Sequence, residues 1–159
     1  MSSRCPSSRP IGLARLPRHR WIISTDGFAD IIRDARRDVH GMLWELALSD
    51  MPTLDRFEDV PRLYRKVNQP VIATTGIRRA LIYVGRSAEI GKPRPGYLAD
   101  VIKAAESAGL PTPYTNDMRK FGDVKALVSR ATHPVQVVDS PTTSKAENAV
   151  ATEKWVWTP

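Results

Sequence analysis

One cysteine, Cys5, occurs in 159 residues. No disulfide can form within the chain, so a reducing, cytoplasmic location is the expectation. Histidine is nearly as scarce. His19, His40 and His133 are scattered, and with one thiol they offer no metal-ligand spacing, so no metal is expected. His40 falls in a predicted strand and reads as a core-edge residue, and His19 and His133 fall in loop-like contexts. No apolar run approaches the ~20 residues of a membrane span. The first residues lack the apolar segment of a secretory signal. Internal repeats are absent, as are helix-turn-helix, RNP and zinc-finger patterns.

What is present suits a single globular domain. Hydrophobic residues make up 42% and charged residues 26%, and a chain this long buries about two-thirds of its unfolded surface. The formal charge of +7 invites a nucleic-acid reading. The basic residues are dispersed, however: Arg33, Arg36 and Arg37 alternate with Asp30, Asp34 and Asp38. A solvated basic surface is the expectation, and nucleic acid is not expected as a partner.

Taken in order, residues 1–10 are rich in Ser, Pro and Arg and read as irregular. Strands are predicted over Ile11–Leu16, Trp21–Ser24 and Phe28–Ile32, with a turn at Thr25–Gly27 and a charged connection at Arg33–Asp38. Val39–Leu46 is apolar on both faces and belongs inside a sheet or barrel; its Gly41 leaves room for close approach by a backbone or a ligand. Leu63–Ala73, where Pro70 hints at an edge or bulge, and Arg79–Val84 are further strands. Tyr97–Ala108 is the clearest helix, with Leu98, Val101, Ile102 and Ala105 as its apolar stripe and Gly109 at its left-handed end. A second helix runs from a Thr112 cap, with Pro113 in its first turn, to about Phe121, and a further helical turn is read at Asp123–Ala131. The pattern predicts an α+β fold with a small mixed or closed sheet. The domain is expected over 1–131, followed by a flexible tail over 132–159 whose final WVWTP either docks on the body or forms a sticky end.

Between Val39 and Tyr64 lies the stretch that matters most for chemistry. Ser49 or Asp50 can cap a short helix with Pro52 in its first turn, and Pro61 stops it. Met51, Leu54 and Glu58 share one face, which places a carboxylate at the end of an apolar stripe. Asp55 and Asp59 read as solvated. A carboxyl turned towards a core has a raised pKa, which suits a general acid or base. The plainer alternative is that Glu58 pairs with Arg62 or Arg65 at a helix end, a common and weak arrangement.

Three segments together resemble the gamma-glutamylcyclotransferase-like family. In GMLWEL…LDRFEDVPRLY, Gly41, Trp44, Leu54, Asp55, Glu58, Val60 and Tyr64 match its central motif. In PRPGYLADVIKAAESAGLPTPY, Pro93, Tyr97, Ile102, Ala105, Gly109, Leu110, Pro111 and Tyr114 match. Arg4, Cys5, Pro6, Gly12, Ala14, Leu16 and Trp21 fit upstream. The resemblance covers about residues 4–121. It implies a small twisted mixed sheet or barrel with flanking helices, and an enzyme that converts a gamma-glutamyl amino acid or amine to 5-oxoproline without a cofactor, with Glu58 as its general acid/base. Tyr64, Tyr83 and Tyr97, with Gly41, are the expected substrate-binding residues, and Tyr97 is the strongest of the phenols. A small gamma-glutamyl compound is the expected partner.

Two departures accompany the resemblance. Asp59 stands where the family carries glycine after its glutamate. The family's first strand and its Tyr-Gly-Ser-Asn loop have no counterpart, so a shortened N-terminus and an exposed sheet edge are expected. The alternative function is therefore a catalytically impaired member of the fold that binds a small molecule or a protein.

Overall fold

The computed structural model describes residues 4–122 and the strand Glu153–Val156. Five strands, β1 (Arg9–Ile23), β2 (Ala29–Glu45), β3 (Tyr64–Ala73), β4 (Gly76–Gly85) and β5 (Glu153–Val156), close a barrel in the order β1-β2-β5-β4-β3. Neighbours are antiparallel except β4 and β5. Helices α1 (Met51–Phe57), α2 (Tyr97–Ser107) and α3 (Thr112–Arg119) flank it. The architecture is α+β, as the pattern of residues predicts.

β1 and β2 form one long ribbon where the sequence suggested four short strands. Arg33–Asp38, read as a connection, lies within β2. Its charges are accommodated because they face a basic partner: Arg15 binds Asp38 and Arg20 approaches Asp34 at 3.8 Å. The register jumps from Pro17 opposite Asp38 to His19 opposite Arg33, so Arg18, at φ 58°, faces four residues of β2. That wide bulge is what the charged run encodes. His19 is consequently a buried strand residue rather than a loop residue, with Nδ1 2.8 Å from the Pro17 carbonyl oxygen. Desolvation holds its pKa below the ordinary value, and that of His40 likewise. His133 lies outside the described residues.

Val39 and Leu43 of β2 enter the main core with Leu16, Ile22, Ile23 and Val71. Trp44, on the opposite face, joins Leu46, Leu54 and Cys5 in a second cluster beneath α1. The main core is closed from outside by Val101 and Ala105 of α2, and by Phe121, whose ring meets Trp21 edge-on at 4.9 Å. Pro70 sits in the part of β3 that pairs only with β4, because β3 meets β1 just at Ile72 and Ala73; a residue without an N–H fits there. Gly109 ends α2 at φ 77°.

Three local expectations change. Thr112 is not a cap: the cap residue of α3 is Pro111, with no side-chain hydrogen bond. Asp50 precedes α1 without capping it. Its Oδ2 instead accepts bonds from the Ser7 N–H (3.0 Å) and the Ser8 hydroxyl (2.7 Å), which fastens the N-terminal segment to the start of α1. Finally, of the segment 132–159 expected as a tail, Glu153–Val156 is β5, paired with both β2 and β4. The rest of that segment lies outside the described residues, as do the boundary at 131 and the helical turn at Asp123–Ala131.

Candidate functional site

A cavity of about 470 Å³ opens at one end of the barrel. The elements that reach it are the start of β2, the turn after α1, the start of β3, the end of β4 and the start of α2. Antiparallel pairing of Tyr64 with Gly85 brings the β3 start and the β4 end to the same rim. The loop before α2 is stitched to the turn between β1 and β2: the Gly91 N–H donates to Ile23 O and the Arg94 N–H to Gly27 O. Gly91 has to be glycine, since a Cβ there would stand 2.4 Å from the Ser24 carbonyl oxygen. This stitching places Tyr97 over the cavity, with Phe28 edge-on to its ring at 5.3 Å.

Glu58, Tyr64, Tyr83 and Tyr97 all line this cavity. Gly41 does not: it lies in β2 opposite Ala14. Glu58 reaches the cavity by a different route from the helical stripe. α1 ends at Phe57, and Glu58 is its C-terminal cap at φ −80°, ψ 0°. Asp59 then turns the chain at φ 52°. Aspartate tolerates this left-handed conformation better than most side chains, which is how it substitutes for glycine. Its carboxylate holds Arg62, the cation first considered for Glu58. Asp55 is not simply solvated, since it accepts the Tyr83 hydroxyl and the Lys66 ammonium.

Two of the phenols are tied to the backbone of one residue, Ala29. The Tyr64 hydroxyl donates to Ala29 O at 3.0 Å, and the Ala29 N–H donates to the Tyr97 oxygen at 3.1 Å. Tyr97 therefore keeps its own proton for a ligand, whereas Tyr64 has spent its proton and can accept. Burial pushes the pKa of Tyr64, Tyr83 and Tyr97 upward, so all three remain neutral phenols. For Tyr83 the bond to Asp55 adds to the effect.

Two lining residues escaped the sequence reading as site residues. Arg4 lies over the Phe57 ring at 3.6 Å on the cavity wall. Asp30 is 4% exposed; its Oδ1 accepts the N–H groups of Ile31 (2.7 Å) and Gly85 (2.8 Å). Burial raises its pKa, and those two N–H groups only partly oppose this. Asp30 had read only as one charge of an alternating surface. No local signal marks it, because the group that seats it is 55 residues away.

A profile of the AIG2-like family matches residues 38–118, just over half of the chain. The chain belongs to the AIG2-like family. Solved structures agree on the fold. A gamma-glutamyl cyclotransferase superposes with a TM-score of 0.67 at 20% identity, over 89% of this chain and 84% of that one. An uncharacterized protein from Homo sapiens gives 0.67 at 21% identity, again over 89% and 84%. YkqA from Bacillus subtilis gives 0.67 at 22% identity, over 77% of this chain and 46% of that one. No curated protein matches by sequence. This AIG2-like chain thus has a gamma-glutamylcyclotransferase-like fold. Among the described residues, no helix is long and apolar enough to cross a membrane.

Proposed function

We propose that the cavity binds a gamma-glutamyl amino acid or amine and that Glu58 serves as its general acid/base. The substrate's α-amino group attacks its own γ-carbonyl, and the C–N bond to the departing amine breaks. The products are 5-oxoproline and the free amine. Ring closure is intramolecular, so much of the barrier is met by holding the substrate in a near-attack geometry. The attacking nitrogen is an ammonium at neutral pH. Glu58 takes its proton and returns one to the leaving nitrogen. The Tyr97 hydroxyl, whose oxygen is already held by the Ala29 N–H, is the natural donor to the developing oxyanion.

The observation that carries this reading is the convergence of Glu58, Tyr64 and Tyr97 on one cavity, from the turn after α1, the start of β3 and the start of α2. Kinship of fold with a gamma-glutamyl cyclotransferase supports it. One observation favours a second reading, a member of the fold that binds without turnover. Residues 1–159 contain no Tyr-Gly-Ser-Asn segment, the oxyanion loop expected from the resemblance.

The protein, with and without such a segment added at its N-terminus, is incubated with a panel of gamma-glutamyl amino acids and amines, and 5-oxoproline is measured. Turnover is expected, and Glu58→Gln should reduce it by about 10²–10⁴-fold. Absence of product from both forms on every substrate would leave the binding reading.

A further inference from the structure

Folding sorts the charges that alternate along β2. Arg18 of β1 faces the bulge of β2, and Arg15, Arg20, Arg33, Arg36 and Arg37 lie in or beside that stretch of the ribbon. Three carboxylates stand among these arginines, and each has both oxygens engaged. Asp34 Oδ1 accepts the Arg36 N–H (3.0 Å), and its Oδ2 lies 3.8 Å from Arg20. Asp38 Oδ1 accepts the Arg18 N–H (3.3 Å), and its Oδ2 holds the Arg15 guanidinium. Asp117 of α3 holds Arg37 through Oδ2 (2.9 Å) and Lys120 through Oδ1 (2.5 Å).

Three cations are left over. Arg18, Arg33 and Arg36 are exposed, and their side chains make no hydrogen bond or ion pair among the described residues. Their field reaches His19: behind burial, Arg33 and Arg18 both oppose a charge on its ring. A crevice of about 120 Å³ adjoins the bulge and adds Lys120 to Arg20 and Arg37 on its wall. Guanidinium groups outside ion pairs are planar forks matched to phosphate oxygens, and clustered cations attract a polyanion from a distance. The large exposed hydrophobic residues are Ile11, Leu48, Phe57, Ile77 and Ile90. None lies in this part of the ribbon, so the patch has no apolar group to enter a bilayer. Trp21 and Phe121, the indole and phenyl rings of the crevice, are 4% and 8% exposed and offer no platform for a stacked base.

We propose that the bulged ribbon binds the phosphodiester backbone of a single-stranded nucleic acid through Arg18, Arg33 and Arg36, without reading its bases. Alternation of charge along the chain argues against such a partner only while the acids are free to offset their neighbours. Here they are engaged by Arg15, Arg20, Arg37, Lys120 and two backbone N–H groups. A flexible strand suits cations displayed around a bulge rather than on a plane. None of the three arginines lines the barrel-end cavity, so this surface is independent of the gamma-glutamyl reading.

Fluorescence anisotropy of a labelled oligothymidylate of about 20 nucleotides, titrated with the full chain at low and rising salt, tests this. Binding should weaken with salt, with a log–log slope of about −2 for three phosphate contacts on a single strand. A mixed-sequence strand should bind within about threefold of oligothymidylate. The triple variant Arg18→Asn/Arg33→Ser/Arg36→Ser should bind about tenfold more weakly or worse and flatten the slope; asparagine suits the left-handed backbone at position 18. Arg79→Ser/Lys92→Ser/Lys103→Ser removes the same charge from exposed positions elsewhere and should change affinity by less than about threefold. Replacing the three ribbon arginines by lysine should keep most of the slope, and a melting curve for each variant shows that it is folded. No binding at low salt overturns the proposal. So does equal weakening by the two charge-removing triples, which would assign the effect to net charge alone. Competition by a polyglutamate peptide of equal charge as effective as that by unlabelled oligothymidylate would overturn it in favour of an acidic protein partner.

Discussion

Two buried aspartates sit at different places in this barrel and are partnered in different ways. Asp50, 6% exposed at the start of α1, offers Oδ2 to the Ser7 N–H and the Ser8 hydroxyl, and Ser8 in turn accepts the Ala47 N–H. Its donors all come from the chain and tie two segments together. Asp30, 4% exposed on the cavity wall, satisfies Oδ1 with backbone and leaves Oδ2 without a hydrogen bond among the described residues. Equal burial therefore does not mean equal purpose. An acid whose donors come from the chain holds the fold, and one with a buried oxygen left over carries a desolvation cost.

Breaking the structural member should have the largest effect on stability. Asp50→Ala removes a charged acceptor from two donors, and hydrogen bonds to charged groups are worth ~1.5–3 kcal/mol each. A loss of about 3 kcal/mol is expected in chemical denaturation. Unchanged stability would refute the anchoring role.

Gly85→Ala presses on the other member. The added methyl would overlap Asp30 Oδ2, so the carboxyl has to move. A cost of about 1–3 kcal/mol is typical of such overpacking and is read from chemical denaturation. Unchanged stability of Gly85→Ala would refute the close packing of Oδ2 against this glycine.

The smallest effect sharpens the contrast through pH. Burial raises the folded-state pKa of Asp30 above its ordinary 3.8. Its proton is held more tightly in the folded state, so its contribution to stability is complete below pH 3.8 and is lost as pH rises through the folded-state value. Asparagine has no such dependence. The unaltered protein should therefore lose stability relative to Asp30→Asn between about pH 3 and about pH 7. Denaturation curves at the two pH values give the sign directly, and a gap that moves the other way would contradict the burial argument.

Much of the fold was legible because it depends on local pattern. The apolar faces of Val39–Leu46 separate into the main core and the cluster under α1. The stripe of α2 packs as its spacing predicts, and Gly109 ends that helix in a left-handed conformation. Glu58 was legible through its family resemblance. The helical stripe that also pointed to it ends one residue early, so its orientation comes from a turn rather than a helix face. The charged run Arg33–Asp38 misled for a related reason: a strand can carry charges on both faces where its neighbour supplies counter-charges and a bulge releases the excess residues.

The order of apolar and polar residues by itself determined the class of fold, the helix limits of α2 and the segment that bears the carboxylate. Those features are set by contacts within a few positions, which a linear reading can see. Tertiary structure alone decided that β5 completes the barrel, that Ala29 is clasped by two phenols, and that Gly85 reserves room beside Asp30. Each joins residues from distant parts of the chain. Burial and hydrogen-bond balance at such places are properties of the enclosed space, and the space exists only once the barrel has closed.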